Sequence, residues 1–85
     1  MSESENPNSL DLTTSLEALL FVSAEPVLPS QLAEALEVSV AAVEEGLKEL
    51  DGELQMRGLR LQRHAGRVQL TTAPETAERV ERFLG

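Results

Sequence analysis

The sequence predicts an α+β domain of the winged helix-turn-helix class, with three helices, a two-stranded wing hairpin and a C-terminal helix over residues 14–85. Three observations predict it. Between Ser30 and Met56 two runs of helical period meet at a fresh helix start, Ser39. From Leu59 to Leu70 the apolar period falls to two, broken by Ala65-Gly66. At Thr72, Pro74 and Glu75 the spacing of a capped helix start returns.

The stretch Met1–Leu12 mixes Ser, Asn, Glu and Pro with no apolar period, so residues 1–13 are expected to form a flexible tail. Thr14 and Glu17 have capping-box spacing and open a first helix that runs to about Ser23. Leu16, Leu19 and Leu20 share one face of it. Ala18, Phe21 and Val22 fall on the opposite side, and Glu17 is the only charge in the element. A helix apolar on two sides needs cover on both, which makes Ala18, Phe21 and Val22 the candidate interface for a second copy or another protein.

Pro26 and Pro29 hold the next segment extended and return Val27 and Leu28 toward the core. A second helix starts at Ser30, carries Leu32, Ala33 and Leu36 inward, and stops near Glu37. The third helix follows the Ser39 cap, and its stripe of Val40, Val43, Leu47, Leu50 and Leu54 is the expected packing spine. Gly46 borders that stripe, where a missing side chain allows close helix approach, whereas Gly52 faces solvent. In the hairpin, Leu59, Leu61, Val68 and Leu70 point inward and Arg60, Gln62 and Gln69 outward. A two-residue loop then sets Leu61 opposite Leu70. Ala77, Val80, Phe83 and Leu84 form the inner face of the last helix, and Glu75–Arg79 and Glu78–Arg82 support its outer face.

Composition narrows the function. A chain of 85 residues, with an aromatic content of 2%, builds one small core from Leu and Val. Its net charge of −8 disfavours non-specific binding to nucleic acid or anionic membrane. The absence of cysteine removes disulfides, thiolate metal sites and thiol nucleophiles, as suits a reducing cytosol, and the longest apolar run, Ala18–Val22, cannot span a bilayer.

The second helix of the helix-turn-helix is the one that enters a DNA groove in DNA-binding members of this class. Here it carries Glu44, Glu45, Glu49, Asp51 and Glu53 against Lys48 alone, a surface that repels phosphate. Glu44, Glu45 and Glu49 lie on an exposed helix with nothing to desolvate them, so they are expected to form a solvated face or a partner-recognition surface rather than an acid–base pair or a magnesium site. His64, the sole histidine, cannot assemble a zinc site unaided. No phosphate loop, GxSxG turn or HExxH pair occurs, so neither a catalytic residue nor a cofactor site is expected. The positive charge of the wing, Arg60, Arg63 and Arg67, makes Arg60 and Arg67 candidates for weak, salt-sensitive DNA contact. Arg63 shares a face with Leu59 and Leu61 and is expected to pack its stem inward.

Several strings resemble the segregation and condensation protein B family, ScpB. The segment Leu16-Glu17-Ala18-Leu19-Leu20-Phe21-Val22-Ser23-Ala24-Glu25-Pro26-Val27 is similar to that family's first helix and the Glu-Pro turn after it. Gln31–Leu36 resembles its next helix, Arg57–Leu61 the approach to its wing, and Ala65–Glu75 the wing and the start of the final helix. The chain departs from the family at Arg67 and Val68, where a second Gly and an aromatic are usual, and at Ala24, where Gly is common. The departure at Val68 removes any wing contact that relies on an aromatic.

The resemblance implies two tandem winged-helix domains, of which residues 14–85 match the N-terminal one. It also implies a non-enzymatic, cytoplasmic, nucleoid-associated adapter. Such an adapter forms a homodimer and binds the kleisin ScpA, which bridges to the SMC ATPase in chromosome condensation and segregation. A second reading, a dimeric winged-helix transcription regulator, needs basic residues on the third helix that this sequence lacks. A third, a regulatory module of an enzyme, depends on sequence beyond Gly85.

Overall fold

Val43, Leu47, Leu50 and Leu54 are buried in a single row and form the axis on which the domain is built. In the computed structural model, which describes residues 11–85, that row belongs to the third of four helices: α1 (Leu12–Val22), α2 (Pro29–Leu36), α3 (Val40–Glu53) and α4 (Ala77–Leu84). Between α3 and α4 lie the strands β1 (Leu59–His64) and β2 (Arg67–Thr72) and a 3-10 turn, Pro74–Thr76. The order is that of a winged helix-turn-helix.

Helix α1 packs on α3 where Gly46 removes a side chain. A Cβ built there lies 2.6 Å from Leu16 Cδ1, so the close approach expected from the sequence is real. The helix begins earlier than expected. Leu12 and Thr13 belong to it, and Thr14 lies inside its first turn rather than capping it. Thr13 explains the shift, because its buried hydroxyl donates to Glu49 Oε1 of α3 at 2.8 Å and Leu12 packs beside the core. Of the expected tail, residues 1–10 lie outside the described residues.

The segment between α1 and α2 adds a third, minimal strand to the wing. Val27 N–H donates to the Val68 carbonyl at 3.0 Å, and the Val27 carbonyl accepts the Val68 N–H at 2.8 Å. Val68, fully buried, is thus held from both sides. Pro29 takes the first position of α2, one residue ahead of the expected start, and Gln31 Oε1 accepts the Leu28 N–H at 2.8 Å. The helix ends as Glu37 turns left-handed, with φ of 57°, letting Val38 N–H reach the Ala33 carbonyl at 3.1 Å. Ser39 then caps α3 as expected, its Oγ accepting the Ala42 N–H at 3.0 Å. Val40, read as the first residue of the buried stripe, is exposed, since the chain has only just left the turn there.

In the hairpin Leu61 pairs with Leu70 and Gln62 with Gln69, the register read from the sequence. Its loop, Ala65-Gly66, takes positive φ at both residues, 53° and 79°, the geometry of a tight turn whose twist matches the strands.

The last helix departs most from expectation. A 3-10 turn occupies the place of the capping box, Glu75 joins Arg60 instead of Arg79, and α4 buries none of its residues. Ala77, Phe83 and Leu84 are exposed and Val80 half-buried, because α4 packs principally against the 3-10 turn and leaves the core to the other elements.

Candidate protein-interaction site

The two sides of α1 meet different surroundings. Leu16 and Leu20 are buried with the core, whereas Ala18, Phe21 and Val22 face out, Phe21 at 77% and Val22 at 74% exposure. A single exposed apolar residue is ordinary, but these are contiguous with a groove. Thr14, Glu17, Ala18 and Phe21 on α1, with Leu59 and Leu70 on the hairpin, enclose about 310 Å³ of mainly apolar space. Val22 extends the apolar surface beside Phe21 without lining the groove. Sequence reasoning placed Leu59 and Leu70 in the core. Both are half-buried, packed on the core at one edge and open to the groove at the other.

A second groove, about 450 Å³, runs between α3 and β1, with Leu47 and Leu61 between Glu44, Glu45, Lys48, Asp51 and Arg63. Arg63 lies where its strand face predicts, over α3, and its Nη2 meets Glu44 Oε1 at 2.8 Å. Glu49 is engaged by Thr13, as described above. Glu45, Asp51 and Glu53 remain exposed against Lys48, so the helix that would enter a DNA groove stays net acidic.

The wing arginines part company. Arg60 folds back to donate to the carbonyl oxygens of Leu54 at 2.8 Å, Arg57 at 2.6 Å and Leu59 at 2.8 Å, and to Glu75 Oε2 at 2.8 Å. The carbonyls following a helix lack intrahelical partners, and a guanidinium supplies several donors at once. With its side chain only 19% exposed, Arg60 is a clasp joining the end of α3, the wing and the 3-10 turn, not a free cation. Arg67 is exposed opposite His64, and neither ion pair among the described residues involves it. Arg60 and Arg67 therefore do not form a common patch. Among the described residues no three His, Asp or Glu side chains gather as metal ligands, and no helix is long and apolar enough to cross a membrane.

An apolar α1 face thus borders a wing groove, on a domain whose α3 is acidic. The family model for "Segregation and condensation complex subunit ScpB" matches residues 14–85, nearly the whole of the described chain. This chain belongs to the ScpB family.

A "Segregation and condensation protein B" of Carboxydothermus hydrogenoformans is 39% identical over 77 residues, covering 88% of this chain and 42% of that relative. The protein of the same description from Desulforamulus reducens is 42% identical over 72 residues, 82% of this chain and 40% of its own length. The chain thus spans well under half the length of these ScpB relatives. Among solved structures, ScpB from Mycobacterium tuberculosis superposes with a TM-score of 0.82 at 33% identity, over 89% of this chain and 51% of that one. A dimer of a ScpB N-terminal domain complexed with a ScpA peptide gives a TM-score of 0.78 at 31% identity, over 84% of this chain and 91% of that one. The match to nearly all of an isolated ScpB N-terminal domain agrees with the fold read from residues 14–85.

Proposed function

We propose that this domain is a non-enzymatic adapter module that homodimerises and binds a ScpA-type kleisin, through which it joins an SMC ATPase in chromosome condensation and segregation. Its place of work is the cytoplasm, at the nucleoid, as the N-terminal of two winged-helix domains. The observation that carries this reading, through its dimer, is the uncovered apolar face of Ala18, Phe21 and Val22 beside the wing groove. Membership of a family with a member solved as a dimer on a ScpA peptide supports it.

Physical chemistry points the same way. A DNA reader needs cations on the second helix of the turn, and α3 offers acids. Direct DNA contact is weak or absent, and any contact by the wing falls to Arg67, since the donors of Arg60 are held within the chain. The test is a pair of anisotropy titrations, one with labelled ScpA-type kleisin and one with labelled duplex DNA, at low and physiological salt. Saturable kleisin binding, with DNA binding absent or erased by salt, is expected. Tight, sequence-dependent DNA binding that persists at physiological salt, with no kleisin binding, overturns the proposal in favour of a transcription regulator.

A further inference from the structure

The chain carries a second uncovered apolar surface, the α4 stripe of Val80, Phe83 and Leu84, with Phe83 at 88% and Leu84 at 77% exposure. It is as apolar as the α1 face, and the two are matched in layout. On α1, Glu17 precedes Phe21 by four residues; on α4, Arg79 precedes Phe83 by four. Residues four apart are neighbours on a helix surface, so each phenylalanine has one charge beside it, and the two charges are opposite. Glu17 lines the apolar groove, and the ion pairs among the described residues involve neither Glu17 nor Arg79.

From this we infer that, in the dimer, α4 of one copy seats in the α1–wing groove of the other, with Phe83 entering beside Phe21 and Arg79 meeting Glu17 across the interface. The inference rests on the dimer proposed above and names the surfaces that form it. A groove of about 310 Å³ suits one large side chain better than a whole helix, and Phe83 is the large side chain presented. A two-fold arrangement makes the exchange reciprocal, so two contacts cover both grooves and both α4 stripes. Pairing α4 with α4 alone leaves both α1 faces wet. A non-ScpB protein on either face leaves the charge match between the faces unused.

The chain has no cysteine, so engineered thiols report without background. Ala18→Cys and Leu84→Cys proteins are prepared separately, mixed at a concentration where sedimentation shows dimer, and oxidised. The mixed disulfide can form only between copies. It is expected at least ten times faster than from a control mixture of Gly52→Cys with Leu84→Cys, since Gly52 faces open solvent. A mixed disulfide no faster than the control, in protein that sediments as a dimer, overturns the assignment of surfaces and leaves dimerisation standing. Sedimentation as a monomer at every concentration overturns both. Independently, Glu17→Arg and Arg79→Glu each weaken the dimer severalfold, and the doubly reversed protein recovers it. Failure of the double variant to recover, with both single variants folded, counts against the pairing.

Discussion

Gly46 and Gly52 are two glycines on one helix with opposite requirements. At Gly46 an added Cβ meets Leu16 Cδ1 at 2.6 Å and Leu12 at 3.3 Å, and Leu16 is fully buried, with little room to give. Overpacking of that kind costs about 1–3 kcal/mol, against about 1 kcal/mol gained from helix propensity, so Gly46→Ala is expected to destabilise by about 1 kcal/mol. Gly52 has nothing within 4 Å, and Gly52→Ala is expected to stabilise by about 0.5 kcal/mol. Urea denaturation of the pair reads both signs at once, and equal shifts in one direction contradict the assignment. The wheel position of each glycine made this contrast legible in the sequence. The role of Arg60 was not legible, because alternation assigns the direction of a strand residue but not where a long side chain ends. Removing its contacts to three carbonyls and Glu75 by Arg60→Ala should cost about 2 kcal/mol in the same experiment. The exposed Arg63–Glu44 pair is worth under about 1 kcal/mol, so Arg63→Ala provides the comparison.

At the scale of elements, the helix-turn-helix and the wing were readable because each follows from local rules. Ser39 caps, Gly46 admits a neighbour, and Ala65-Gly66 turns the hairpin into the one register that puts Leu61 and Leu70 on the same face. Two elements were misjudged for the same reason. The start of α1 depends on Thr13 reaching Glu49, 36 residues away, which no local pattern encodes. The apolar stripe of α4 is as regular as those of α2 and α3, but periodicity says that a face wants cover, not what supplies it. With eight residues and none of them buried, α4 is marginal on its own, since isolated helices this short are weakly formed in water. Amide exchange should therefore be fast across Ala77–Leu84 in dilute protein and slow several-fold as concentration rises into the dimer range. The amides of α3 should stay protected throughout. Exchange in α4 that ignores concentration would mean its stripe is not covered by a second copy.

For the whole molecule, shape and charge point in different directions, and the charge is the better guide. The backbone has the form of a DNA reader, yet α3 is acidic and Arg60 is tied into the fold. Apolar surface is left uncovered on the α1 face with its groove and on the α4 stripe. Family membership was visible in strings such as Leu16–Val27 and Ala65–Glu75. The groove was not visible, because it needs Ala18 and Phe21 placed against Leu59 and Leu70, which lie far along the chain. The most direct test that this face binds protein is sedimentation equilibrium of the wild-type chain and Phe21→Glu, with a thermal melt of each. Because Phe21 is 77% exposed, the variant should melt cooperatively at nearly the wild-type temperature. The wild type should sediment as a dimer and the variant as a monomer. A variant that dimerises as well as the wild type, or one that loses its cooperative transition, contradicts the placement of the interface on α1.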